Sequence, residues 1–440
     1  MGDAYADIPK RGGDFAKAVA VCINAHQCET QVKGVMCPSY RVLQQANFST
    51  GGRVRLLKAA LNGELGTTPF QNAELADAMA LCVGCKGCKR ECENEVDMAM
   101  LKVEYLAQQL VQTSLPLRTR LLANLSRYLG RLQGFRYLLV LRNRVPILAK
   151  LTEALLGLSA QRQLPEPVAT PFLQRPVVFK RRDESTEINA TPRTEVVLLI
   201  DTFTNHFAPE NAEAAVAVLT RAGYRVLTTQ TNADSERPLC CGRTLIAHGL
   251  VDKAQQEARR MLAVLLPHVE AGRPIIGLEP ACLLAIRDDY KFLGLGEAAN
   301  QVASHAILFE EFIAREIAAK RFELTFKSLD TAAQPLLVHG HCHQKAVGAM
   351  KSMRKVLKLI PELKVEFIES TCCGMAGSFG IEKEHAEVAM QMAEQSLLPA
   401  LRQQPRARIL ANGFSCRHQI HEGVKRDAMH LAQLLQEAMA

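Results

Sequence analysis

The sequence predicts an α+β protein in three parts. An all-helical domain covers residues 1–115, a basic helical segment and linker cover 116–190, and an α/β domain of two repeated halves covers 191–440. Three observations carry this reading. Seven of the fourteen cysteines lie in the first quarter among turns and helical patterns, none lies in 116–190, and seven lie beyond. In the last part, apolar runs such as Val196–Ile200 alternate with helical stretches, the order expected of parallel sheets. That order occurs twice, over about 191–300 and 330–430, and each copy carries a Cys-Cys-Gly triplet.

With 440 residues and 48% hydrophobic content, the chain can bury two or three separate cores. Runs such as Tyr137–Leu141 fall far short of the ~20 apolar residues that span a bilayer. The first residues include Asp3, Asp7, Lys10, Arg11 and Asp14 and no apolar stretch of the kind a secretory signal needs. A cytoplasmic, reducing compartment is therefore expected, where clustered cysteines hold metal more often than they form disulfides.

In the first part, Ala73–Leu81 and Val96–Leu110 read as helices flanking the run Cys82, Cys85, Cys88, Cys92. Its C-x₂-C-x₂-C-x₃-C spacing is that of a [4Fe–4S] site. Zinc is the rival for four thiolates, but structural zinc sites usually draw two close pairs from separate knuckles. Upstream stand Cys22 and Cys28 in C-I-N-A-H-Q-C, and Cys37 in V-M-C-P-S-Y. The pair of motifs resembles a two-cluster helical ferredoxin, in which the fourth cysteine of each run serves the other cluster. The resemblance implies one [4Fe–4S] cluster on Cys82, Cys85, Cys88 and Cys37, with Pro38 fixing the chain after Cys37. It implies a second site on Cys22, Cys28 and Cys92, where Ala25 stands in the place of the remaining thiol. Three readings of that site stay open: a [3Fe–4S] cluster, a [4Fe–4S] cluster with its fourth iron on His26 or solvent, or no cluster, with Cys22 and Cys28 as small core residues.

The net charge of +8 is concentrated. Between Tyr105 and Thr152 there is no acidic residue, while Arg118, Arg120, Arg127, Arg131, Arg136, Arg142, Arg144 and Lys150 interleave with Leu, Tyr and Phe. Such a stretch suits an anionic membrane surface or an acidic partner; the plainer reading is a solvated helix pair bridging two domains. No nucleic-acid-binding motif accompanies the charge, so nucleic acid is not an expected partner. Pro165, Pro167, Pro171 and Pro176 mark a linker.

In the last part, Val196–Phe203 and Pro335–Cys342 each read as a buried strand ending in a polar turn. Cys240–Cys241–Gly242 and Cys372–Cys373–Gly374 follow, then helices over Asp252–Leu265 and Glu382–Leu398. Strands over Pro274–Leu278 and Arg408–Asn412 come next, and then the lone Cys282 or Cys416. The second Cys of each pair precedes its lone Cys by 41 residues in one copy and 43 in the other, which favours duplication. Vicinal cysteines bridge each other only with strain, but both can face a metal site when a glycine relaxes the next residue. Cys342, Cys372, Cys373 and Cys416 form the complete set. Cys240, Cys241 and Cys282 form the other, with Phe203 where Cys342 aligns. His339 and His341 read as strand-end histidines bonding backbone, His343 as either that or a ligand, and Glu279 as either a carboxylate bonded behind a metal ligand or a helix N-cap anion beside Pro280.

The segments C-C-G-R-T-L-I, G-L-E-P-A-C-L-L, H-G-H-C-H-Q-K and C-C-G-M-A-G-S-F-G-I-E resemble the cysteine-rich (CCG) domain of the heterodisulfide reductases and their relatives. V-M-C-P-S-Y-R-V, C-K-G-C-K-R-E-C and V-D-M-A-M-L-K resemble the ferredoxin region that accompanies it. The combination is similar to the iron–sulfur subunits of glycolate oxidase and anaerobic glycerol-3-phosphate dehydrogenase, and to the C-terminal half of large D-2-hydroxyacid dehydrogenases. Glu93, Ala25, Thr50–Arg53, Phe203 and Gln419 depart from the usual pattern.

The resemblance implies an electron-transfer subunit. It would accept electrons from an FAD-linked 2-hydroxyacid dehydrogenase of the glycolate, D-lactate or D-2-hydroxyglutarate type. It would pass them through the N-terminal clusters and a cluster or metal in the CCG domain to membrane quinone or another carrier, from a peripheral position on the inner face of the membrane. The chain itself shows no nucleotide fingerprint, since G-L-G-E at Gly294–Glu297 lacks a third glycine, and no Ser/His/Asp constellation. Two other readings are a CCG site that is itself catalytic in disulfide or thiol chemistry, and a scaffold whose clusters are structural.

Overall fold

The computed structural model describes residues 13–30, 34–129, 133–175, 194–229, 237–329 and 334–440, the side chains of Gln133 and Phe135 excepted. The charged residues before Gly13, Arg131, Pro176 and the rest of the linker to residue 193 lie outside the described residues.

The first part is helical. Gly13–Ala20, Thr50–Asn62, Ala73–Ala80 and Met98–Gln112 bury Val19, Leu57, Leu75, Met79, Leu101 and Tyr105 against one another, with Cys22, Cys37 and Cys88 in the same interior. The two helices expected around the cysteine run form within two residues of their expected ends. Their starts are set by Asn72 and Asp97, whose side chains accept from Leu75 N–H and Met100 N–H.

The α/β part holds two parallel sheets. The first has strands β1 (Glu195–Leu199), β2 (Arg225–Thr228), β3 (Ile275–Gly277) and β4 (Ala306–Leu308) in the order β2-β1-β3-β4. The second has β5 (Leu336–Val338), β6 (Val365–Phe367) and β7 (Ile409–Leu410) in the order β6-β5-β7. Side chains alternate across each strand. Val196, Leu198 and Ile200 share one interior with Leu336 and Val338, together with the packed helices Pro209–Arg221 and Leu431–Ala438. The opposite faces meet the thiols: Val197 and Leu199 lie with Cys241 and Cys282, and Leu337 lies with Cys342, Cys372, Cys373 and Cys416.

The strands are shorter than their apolar runs suggest. Residues 202–206 and 342–346 are short helices capped by Asp201 and His341. This corrects the equivalence of Phe203 with Cys342. The pairs Val197↔Ile275 and Leu337↔Ile409 have matching register, and Glu279 and Gly413 cap matching helices four residues after Ile275 and Ile409. Counting on from the strands, Asp201 matches His341 and Thr202 matches Cys342; the apolar run misleads by one residue because it continues past the strand end. Phe203 instead stacks on Phe414 at 5.1 Å between ring centres, joining the two halves.

The basic segment forms helices Leu117–Ala123, Leu125–Leu129, Gln133–Arg144 and Pro146–Leu156. Half of its cations are consumed internally. Arg118 pairs with Glu384, Arg127 with Glu257, Arg136 donates to the Pro167 carbonyl, and the buried Arg142 donates to the carbonyls of Ser159 and Arg162. Tyr137, Leu138, Ile147 and Leu155 are exposed. No helix among the described residues is long and apolar enough to cross a membrane.

Candidate metal centre

The two N-terminal cysteine loops share a backbone. Asn24 and Gly84 have φ of 57° and 59°, and His26 and Lys86 have φ of 56° and 59°. These left-handed residues wrap each loop so that alternate side chains turn inward. The match places Ala25 where Cys85 stands. Cys22, Ala25, His26, Cys28 and Cys92 line one cavity, together with Thr50 and Gly51. His26 Nδ1 is engaged by Glu29 at 2.7 Å.

Among the neighbouring thiols, the charge of Cys88 is felt against Cys37 and Cys82, that of Cys22 against Cys28 and Cys92, and that of Cys37 against Cys28. Burial pushes the Cys37 thiol up to about 11, with Arg53 acting against it. Burial, then the charge of Cys342, push Cys85 well above the usual thiol range. Such thiols carry protons until a cation displaces them, so metal binding and deprotonation are coupled.

The helix Thr50–Asn62 aims its N-terminus at both sites. Thr50 N–H and Gly51 N–H donate to Cys37 Sγ at 3.0 Å and Cys28 Sγ at 3.2 Å, and Thr50 Oγ1 lies 2.9 Å from Cys37 Sγ. Ser49 caps the helix by accepting from Gly52 N–H. At Gly52 a Cβ would sit 2.0 Å from the Ala46 carbonyl oxygen. Thr50, Gly51 and Arg53 adjoin the thiols in a way that cysteine spacing could not reveal. The sequence singles this stretch out only as a departure from the family pattern, without its part in donating to sulfur. Arg53 is buried and donates to the Ala78 carbonyl and Ser39, which keeps a positive charge beside the thiols.

In the α/β part, both Cys-Cys-Gly triplets take one conformation. Gly242 and Gly374 have φ of 73° and 87°, and each N–H approaches the first thiol of its pair, Cys240 or Cys372, at 3.4 Å. Cys282 and Cys416 occupy the third position of the helices Pro280–Arg287 and Phe414–Val424. Cys342, Cys372, Cys373 and Cys416 contact one another in succession, as do Cys240, Cys241 and Cys282. The Thr202 hydroxyl reaches Cys240 as Cys342 reaches Cys372. Of the two readings of Glu279, the structure shows the cap: it accepts from Ala281 N–H and, across the halves, from Phe414 N–H at 2.7 Å. Gln419, in place of a further cysteine, is buried and donates to the Ala389 carbonyl.

Cys85 and the complete thiol set belong to one interior, and the charge of Cys372 is felt against Cys85. Lys86, beside it, pairs with the buried Asp289 and with Asp288 of the first half. All fourteen cysteines are free. Soft donors, backbone N–H groups aimed at sulfur, and the buried cation Arg53 fit iron–sulfur ligation.

Residues 336–421, spanning β5 to the helix that carries Cys416, match the cysteine-rich (CCG) domain. Over most of its length the chain is similar to D-2-hydroxyglutarate dehydrogenase of Escherichia coli K12, with 23% identity over 97% of this chain and 44% of that protein. It is also similar to two proteins of the same organism. One is the glycolate oxidase iron-sulfur subunit, 24% identical over 92% of this chain and 91% of that one. The other is a subunit of anaerobic glycerol-3-phosphate dehydrogenase, 26% identical over 56% of this chain and 60% of that one. The chain spans less than half the length of the D-2-hydroxyglutarate dehydrogenases that it matches.

Proposed function

We propose that this chain is an iron–sulfur electron relay serving an FAD-linked 2-hydroxyacid dehydrogenase, and that it hands electrons on to quinone or another carrier. The observation that carries the reading is that Cys85 lies in one buried interior with Cys342 and Cys372, near enough for the charges of these thiols to be felt by one another. It brings a thiol of the N-terminal loops into the interior that holds the thiols of the α/β domain. In this reading Cys82, Cys85, Cys88 and Cys37 hold one [4Fe–4S] cluster. Cys22, Cys28 and Cys92 hold a second cluster on three thiolates, since Ala25 supplies none. Cys342, Cys372, Cys373 and Cys416 hold a cluster or metal. Cys240, Cys241 and Cys282 form a reduced counterpart with Thr202. When bound, such clusters divide a two-electron oxidation into single-electron steps.

The chain's own residues insulate and tune. Thr50 and Gly51 donate to sulfur, Arg53 offsets negative charge, and burial excludes water from the thiols. Cys342, Cys372, Cys373 and Cys416 are each 8% exposed or less, which supports a relay over direct reduction of a bulky disulfide. The 1–115, 116–190 and 191–440 division remains our reading of the domains. The exposed apolar residues of Gln133–Arg144 and Pro146–Leu156 would rest on an anionic membrane surface.

The test is Cys85→Ser in a complex reconstituted with the FAD-linked dehydrogenase that this reading requires. Dye-linked oxidation by the flavoprotein should persist while reduction of quinone is lost. Quinone reduction at the wild-type rate would refute the relay.

A further inference from the structure

His339 offers a nitrogen to the thiol set of the second half. A ring nitrogen of His339 and the sulfurs of Cys373 and Cys416 lie within 4.8 Å of one another, all three residues being buried. That spacing is the one in which donors share a single metal ion; thiolates on separate corners of a cube stand further apart. Strand alternation explains the direction. Leu337 of β5 faces the thiols, and His339, two residues on, falls on the same face.

The two ring nitrogens have different surroundings. Nδ1 is 2.9 Å from Ser370 Oγ. Ser370 Oγ also accepts from Lys345 Nζ at 3.0 Å, and Lys345 Nζ donates to the Ser370 carbonyl at 2.6 Å. Nε2 is buried with no hydrogen-bond partner. A buried orphan of this kind calls for a cause. Metal-bound imidazoles show this asymmetry, with the far nitrogen held by a fixed neighbour and the near lone pair directed at the metal.

The two halves supply an internal comparison. Counting from the matched strands, the first half has Leu199 where the second has His339, and Thr202 where the second has Cys342. The imidazole and the fourth thiol occur together in one half and are missing together from the other.

We propose that His339 Nε2 is a nitrogen ligand to the metal centre of the second half, bound to the same ion as Cys373 and Cys416 and held in its tautomer by Ser370 and Lys345. The proposal rests on the reading that Cys342, Cys372, Cys373 and Cys416 hold a centre. Binding releases the thiol protons to solvent and consumes no electrons. In this arrangement one metal of the centre differs from the rest in charge and in donor, which sets its redox behaviour apart from the all-thiolate N-terminal clusters.

The experiment uses the full chain loaded with iron and sulfide and labelled with [¹⁵N]histidine, examined by pulsed EPR in both redox states. The expected result is a strongly coupled ¹⁵N at the α/β centre, lost in His339→Leu and kept in His343→Gln. If His339→Leu fails to assemble the centre, the coupling in the wild type and its retention in His343→Gln still assign the ligand. A centre that forms without strongly coupled nitrogen overturns the proposal, as does nitrogen coupling that survives in His339→Leu. Absence of any centre removed by Cys373→Ser, with the N-terminal clusters present, would instead overturn the underlying reading of the thiol set.

Discussion

His343 Nε2 lies 3.0 Å from the carbonyl oxygen of Gly84. The ring follows Cys342, and the carbonyl belongs to the residue just before Cys85, so this bond joins the two thiol sites through their own loops. Gly84 holds a left-handed backbone at φ 59° to present that oxygen. The imidazole is the donor here, since a carbonyl only accepts.

Replacing His343 by Ala should leave the partly buried Gly84 carbonyl without this donor, at a cost of about 1 kcal/mol. Denaturant unfolding of the full chain measures this. His343→Gln, which keeps a donor, should recover part of the loss. Equal stability of all three proteins would show that the bond contributes nothing.

Thr202→Cys should complete the first-half thiol set. Thr202 is buried and reaches Cys240 as Cys342 reaches Cys372, and the exchange is close to isosteric. Iron bound per chain should rise above wild type after reconstitution, with a new EPR signal. Unchanged iron content would mean that the halves differ by more than this thiol.

Glu310 accepts on both oxygens. Gln344 Nε2 and Asn412 Nδ2 donate to it. Both amides are fixed in orientation because their oxygens accept from His341 N–H and Leu431 N–H. Glu310→Gln therefore sets one N–H against another and should destabilise by about 1–3 kcal/mol, although the shape is unchanged. A denaturation midpoint equal to wild type would contradict this.

Burial pushes the Glu310 carboxyl up from 4.5 to about 7. The folded chain then holds a proton that the unfolded chain has lost between those values, so this group's contribution to stability falls as pH rises from about 4.5 to about 7. Denaturation midpoints across that range should show a shallower decline in Glu310→Ala than in wild type. Parallel curves would assign the dependence to other groups.

Leu138, Ile147 and Leu155 are 65%, 77% and 71% exposed. Changing all three to Glu should leave thermal stability nearly unchanged, since exposed substitutions usually shift it by within ~0.5 kcal/mol each. Sedimentation with phosphatidylglycerol-containing vesicles should fall several-fold. Retained sedimentation would remove these helices from the membrane reading.

Much of the candidate site was legible in the chain. The spacing of Cys82, Cys85 and Cys88, the absence of a thiol at Ala25, and the Gly242 and Gly374 turns are local features, fixed by a few bonds of backbone. Helix starts at Asn72 and Asp97 are equally local. Residue register at the strand ends was not legible: Val196–Ile200 is apolar beyond the five-residue strand, which hid the match of Thr202 with Cys342. The roles of Thr50, Gly51 and Arg53 were hidden as well, because they act on Cys28 and Cys37 from a separate helix.

The sequence by itself determined which residues carry soft donors and how each loop presents them, because spacing and glycine conformations act within a few residues. Only the tertiary structure decided which loops meet. Cys85 shares one interior with Cys342 and Cys372, and His339 lies close to Cys373 and Cys416. These encounters depend on burying the helical domain against the sheet ends, a balance of apolar contact and of the Lys86–Asp289 pair that no local pattern encodes.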